Sequence, residues 1–221
     1  MPRIALPLIA LVTAASRLAA AAGSADGAIH VLTRDAAGQP VSNAVVSLTR
    51  LGDPEAAPTP PNDPVPIGQR HQEFETYVTP IVMGTRVVFP NQDTVKHHVY
   101  SVSKAKRFEI PLYIGDSKET VLFDRPGVVT LGCNIHDWMI AYVVVLTTSH
   151  FTKTGADGTG LISGLPPGTY DLVVWHPLMT GTVQQQITVA PAGDATQVIP
   201  LSLHPDRRVR RAPDSGSSGY R

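Results

Sequence analysis

The chain has 221 residues and balances 18 basic against 18 acidic side chains, a formal net charge of zero. Nucleic acid is excluded as an obvious partner, because phosphate binding needs a basic face. Charged residues are only 16% of the chain, against 20 prolines and 18 glycines, a balance that suits an all-β protein rich in turns and not a helical one.

Residues 1–22 read as a secretory signal. Arg3 supplies the positive start, "IALPLIALVTAA" is a short apolar stretch, and "SRLAAAAGSA" offers small residues for cleavage after Ala22. Ser16 and Arg17 interrupt the apolar run, which leaves it too short for a stable anchor. No later segment is apolar enough to span a bilayer. A soluble, periplasmic protein is the expectation.

After the signal, "GAIHVLTRDAAGQPVSNAVVSLTR" (27–50) predicts two strands around a turn. Ile29, Val31 and Thr33 alternate on one face of the first, and Val45, Val46 and Leu48 begin the second. Residues 51–69 are dense in proline and predict a semi-rigid linker that stays out of any sheet. From 70 to 146, short apolar runs such as "YVTPIVM", "TRVVFPN", "HHVYSVS" and "MIAYVVVL" alternate with polar turns. "KAKRFEIPLYIGDSKE" (104–119) is the least strand-like part and predicts a loop or one helical turn.

Residues 147–204 return to strands and glycine-rich turns, closing with "TVQQQITV" and "ATQVIPLSL" as a hairpin. Residues 205–221 read as a disordered basic tail with four arginines between 207 and 211. Two strands before the linker cannot bury a face alone. They need the strands after 147, so the expected architecture is a small β-sandwich interrupted by a middle domain at 70–146. "GAIHVLTRDAAGQPVSNAVVSL" and "TKTGADGTGLISGLPPGTYDLVVW" together resemble the carboxypeptidase regulatory-like, or transthyretin-like, β-sandwich, cut open after its second strand.

The only cysteine, Cys133, lies in "LGCNIHDWM". An oxidising compartment favours disulfides, yet one cysteine has no partner within the chain. A free thiol there is a liability unless it is buried or capped by a metal. The chain carries no CxxCH, so no covalent c-type haem. A copper electron-transfer site needs two imidazoles and a thiolate, with a weak axial thioether. Cys133, His136 and Met139 supply three of these in one short loop, and "VVTLGC" supplies a strand ending at the cysteine. One cysteine excludes a dinuclear copper centre, and the absence of His-x-His motifs excludes a multicopper cluster. Structural zinc has no use for Met139.

The second imidazole comes from "VVFPNQDTVKHHVYSV". Successive strand side chains point to opposite faces, so His97 and His98 compete for one position. His97 shares a face with Val99, which should be core. This segment and the loop resemble the cupredoxins, the blue copper proteins. The resemblance implies a Greek-key β-barrel or sandwich holding one mononuclear copper ion, with His97, Cys133, His136 and Met139 as ligands. It implies Asn91 as a supporting turn residue and His98 as the residue whose backbone N–H donates to the sulfur. It also implies that His136 reaches solvent through an apolar patch for electron entry, with Ile135 and Trp138 beside it; Trp138 is equally readable as core.

The family commonly has proline beside the loop histidine, where this chain has Asp137 and Trp138, and a carboxylate at 137 is expected to act on His136. The Cys-x2-His-x2-Met spacing resembles amicyanin-like cupredoxins, and the whole arrangement resembles proteins described as methylamine utilization or plastocyanin-like. The implied function is single-electron transport, without catalysis, to a redox protein such as a periplasmic dehydrogenase or a c-type cytochrome. The alternatives are a copper chaperone or storage protein, a partner-recognition module, and an enzyme if Met139 leaves a metal position open. His30, His71, His150, His176 and His204 form no usable ligand spacing.

Overall fold

A computed structural model describes residues 26–52, 56–115 and 119–206; the signal-like segment 1–22 and the arginines at 207–211 lie outside the described residues. No helix occurs among the described residues, so none is long and apolar enough to cross a membrane. The protein is all-β.

In chain order the strands are β1 (Gly27–Arg34), β2 (Val45–Arg50), β3 (Val65–Pro66), β4 (Gln69–Arg70), β5 (Glu73–Phe74), β6 (Val78–Val82), β7 (Thr85–Val88), β8 (His97–Val102) and β9 (Arg107–Tyr113). They continue as β10 (Thr120–Phe123), β11 (Gly127–Gly132), β12 (Ile140–Leu146), β13 (Phe151–Lys153), β14 (Thr159–Leu165), β15 (Gly168–Trp175), β16 (Thr182–Val189) and β17 (Asp194–Pro200).

The first two strands find their partners more than a hundred residues away. β1 lies between β14, antiparallel, and β17, parallel. β2 lies between β13 and β15, with β16 beyond. Ile29 and Val31 from β1, Val46 and Leu48 from β2, and Tyr170, Leu172 and Val174 from β15 fill the space between these two sheets, all fully buried. The alternation along β1 makes this possible: its even-numbered side chains face away from that core.

The intervening strands build a second sandwich. One sheet has the order β6-β12-β11-β8-β9, with β6 parallel to β12. The other has the order β10-β7-β3. Val87, Phe89, Val99, Phe123, Val129, Leu131 and Val143 are buried between them, and Cys133 and Met139 belong to the same core.

Two sequence expectations are corrected here. Val65–Pro66, in the proline-rich segment, does join a sheet, pairing with β7. It is a two-residue edge strand, where a missing proline N–H costs nothing. Residues 107–113, expected to be a loop or helical turn, form β9, the edge of the five-stranded sheet. Its apolar alternation is faint because an edge strand carries charge; Arg107 and Glu109 stand in it, and only Ile110 is buried. Between His97 and Val99 of β8, β9 advances from Tyr113 to Ile110, an extra residue beside Pro111.

β2 also shows why four successive residues, Val45 to Leu48, are buried. Val46 and Leu48 face the first core. Val45 faces a small third cluster with Val78 and Val144, flanked by Tyr77, Tyr142, Leu146 and Trp175. The Trp175 and Tyr142 rings meet edge-on at 5.6 Å, and Lys153 Nζ donates to the Val78 carbonyl at 2.9 Å. These contacts join the two sandwiches.

Leu172→Ala removes a fully buried side chain from the first core. It should cost about 2–5 kcal/mol of stability. Scanning calorimetry checks this; an unchanged midpoint would contradict the packing.

Candidate metal centre

Two strands and one loop deliver the candidate ligands. β8 opens with His97 and turns its ring inward, completely buried. β11 ends at Gly132, and Cys133 follows at the head of the loop to β12. Gly132 lets the Tyr100 ring lie across it, 3.1 Å from where a Cβ would stand, so a side chain there would push the ring aside. The loop folds back through a bond from the Met139 N–H to the His136 carbonyl, 2.9 Å. That bond brings His136 and Met139, both buried, to the same end of the barrel as Cys133.

The Cys133 sulfur is 3.6 Å from His136 Nδ1 and 3.9 Å from His97 Nδ1. The two ring centroids are 4.9 Å apart, and the three candidate donor atoms all lie within 4.8 Å of one another. The structure therefore brings His97, Cys133 and His136 together. Met139 is packed in the same core at 2% exposure, adjoining the loop that carries two of them.

His98 takes the opposite face. Its ring Nε2 meets Glu109 Oε1 at 2.9 Å, away from the sulfur. Its backbone N–H serves the sulfur instead, as do the N–H groups of Ile135 and His136. Burial alone would raise the Cys133 pKa, but the His97 ring and these three backbone donors outweigh it and hold the thiol below its ordinary value. Burial likewise pushes His97 down, and its contacts with Cys133 and Asp93 overcome that and raise it. The pocket thus favours an anionic sulfur beside a positive charge. Two imidazole nitrogens and a thiolate around one point fit a soft or borderline cation.

Asn91 ties the approach to β8. Its side-chain N–H groups donate to the Val95 and Tyr113 carbonyls, at 2.9 and 3.1 Å, and its Oδ1 accepts the Asp93 N–H at 2.9 Å. This aims Asp93 at the site. His97 Nε2 donates to Asp93 Oδ2 at 2.7 Å, which turns Nδ1 toward the sulfur.

Three expectations change. Asp137 is exposed and is not the carboxylate that acts on His136. Burial and the charge of His97 lower the His136 pKa, and Asp93 opposes them. His136 keeps only 7% exposure, beside the tilted Trp138 ring, with centroids 5.4 Å apart. Ile135 and Trp138 are half-buried and pack against the core, so neither stands free as a patch. Asp93 is the site residue that sequence reasoning passed over. The signal was present in "NQDTVKH", where Asp93 precedes His97 by four residues. Only the loop geometry makes that spacing a contact.

Asn91→Ala leaves two carbonyls and one N–H without their partner. It should cost about 1–3 kcal/mol, read from urea unfolding curves of the metal-free protein. An unchanged midpoint would remove Asn91 from this role.

Comparison with known structures finds similarity to amicyanin, represented by a reduced single-substitution mutant. The identity is 20% and the TM-score 0.36, over 45% of this chain and 99% of that one. A purple cupredoxin from Nitrosopumilus maritimus is 23% identical with a TM-score of 0.33, over 38% of this chain and 100% of that one. A copper-containing nitrite reductase from Thermus scotoductus SA-01 is 23% identical with a TM-score of 0.37, over 52% of this chain and 28% of that one. No curated protein matches the chain. Residues 139–202 match the family model of the carboxypeptidase regulatory-like domain, a match that spans β12 to β17.

Proposed function

We propose that the chain is an exported type 1 copper protein that carries single electrons, in which His97, Cys133, His136 and Met139 would hold the copper. The observation that carries this reading is the convergence of two imidazole Nδ1 atoms and a thiolate-favouring sulfur in one buried cluster. Copper held there would supply a one-electron couple, with sulfur suited to Cu(I) and nitrogen to Cu(II).

The protein's own part is to hold these groups still. His97 is fixed by Asp93 on its far nitrogen, and Cys133 by three backbone N–H groups. Ligands held in one geometry need little rearrangement between oxidation states. Their burial, at 0–7% exposure, leaves no broad face open to a substrate-sized molecule. This supports electron carriage over catalysis, since catalytic metal sites keep a position open. It also speaks against a chaperone, which must release its metal quickly. A periplasmic dehydrogenase or a c-type cytochrome fits as the redox partner of an exported carrier, and one copper ion fits a single cluster.

Adding Cu(II) to the mature protein should give an intense visible sulfur-to-copper band and narrow copper hyperfine splitting. Cys133→Ser should abolish both. A faint, ordinary Cu(II) spectrum in the unsubstituted protein would sink the proposal.

A further inference from the structure

The β4–β5 hairpin has no role in the proposed ligand set, yet its turn is unusual. His71 and Gln72 both hold positive φ, 55° and 57°. A two-residue turn of this kind favours glycine or asparagine, because a Cβ is strained there. Something outside the hairpin must hold it. That something is Asp93: its Oδ1 accepts the His71 N–H at 2.6 Å and its Oδ2 accepts the Gln72 N–H at 2.9 Å. The same Oδ2 accepts His97 Nε2–H.

The hairpin tip also holds the metal loop. The Gln72 carbonyl accepts the Trp138 Nε1–H at 3.0 Å, and the Trp138 ring meets the His136 ring at 5.4 Å between centroids and a 49° tilt. The base of the hairpin is anchored separately, by backbone bonds between Gln69 and Pro90 and between Gln92 and Gln69, each 2.9 Å. Asp93 therefore controls the tip and not the base.

We propose that Asp93 is a positioning residue for both imidazoles: it orients His97 directly, and it latches the His71–Gln72 turn, which closes Trp138 over His136. The carboxylate links the hairpin tip to β8, which belongs to a different sheet. Loss of the latch lets the Trp138 cover lift, and water reaches His136. The latch is a property of the chain itself; its consequence for electron transfer rests on the copper reading above.

The test uses the metal-free protein first. Hydrogen exchange by nuclear magnetic resonance is followed at the His71 and Gln72 amides and the Trp138 indole, with the Gln69 amide as internal control. Asp93→Ala should speed exchange at the first three at least tenfold and leave Gln69 unchanged. Rates equal to wild type at the turn, or acceleration that includes Gln69 equally, would overturn the latch. Trp138→Phe gives a second approach that leaves the carboxylate intact. It should keep His71 and Gln72 protected while His136 reacts at least tenfold faster with diethyl pyrocarbonate, located by peptide mass; unchanged His136 reactivity would show that Trp138 is not its cover. In the copper-loaded protein, Asp93→Ala should raise the reduction potential, because an anion that favours Cu(II) is gone. A faint Cu(II) spectrum with an intact latch would count against the copper reading alone, whereas a blue site with an unlatched wild-type turn would count against this proposal alone.

Discussion

A buried sulfur drawn toward its anionic form is the constraint on which the site depends. Cys133 is 4% exposed, and burial disfavours a charged thiolate. The fold meets this with backbone N–H groups from β8 and from the loop, and with an imidazole from β8. Each donor belongs to a segment whose position is set elsewhere. The His98 N–H is available because β8 runs beside β11, where Gly132 pairs with Tyr100. The Ile135 and His136 N–H groups are available because the loop turns back on the His136 carbonyl. Asp93 completes the arrangement by fixing which nitrogen of His97 faces the sulfur.

The cost of such a cluster is tolerable only within a rigid barrel. Leu131 and Val129 lead into Cys133 along β11, and both are fully buried, so the strand cannot slip without losing its core face. Beyond the barrel, the interrupted sandwich adds its own constraint. β1 and β2 are held between strands from the far end of the chain, and this draws both ends of the barrel segment to one place. Val45, Val78 and Val144, one from each of three strands in the two sandwiches, show how closely the units are joined.

Much of this was legible in the residues themselves. The alternation in "AIHVLT" gives the face of β1, and the orphaned state of two leading strands points to partners after the middle segment. His97 over His98 follows from strand alternation with Val99 as the inward neighbour, and the two rings do point to opposite partners, Cys133 and Glu109. Edge strands were not legible: β3 and β9 carry proline and charge because nothing pairs with their outer side. The role of Asp93 was hidden for a different reason. It depends on a turn at His71–Gln72 with an unfavourable backbone, which no local propensity predicts. Asp137, adjacent in sequence to His136, looked the better carboxylate and is exposed instead.

Burial of the loop histidine separates this site from the pattern expected of it. His136 is 7% exposed and its ring meets the Trp138 ring at a centroid distance of 5.4 Å, so the imidazole presents no broad solvent edge. The central claim is that one copper ion sits among His97, Cys133 and His136 and changes oxidation state with little movement of its ligands. X-ray absorption at the copper edge, on the Cu(I) and Cu(II) forms of the same preparation, tests it most directly. The account predicts one short copper–sulfur and two copper–nitrogen distances in both forms, nearly unchanged between them. Loss of a nitrogen ligand on reduction, or a copper shell of oxygen and nitrogen without sulfur, would contradict it.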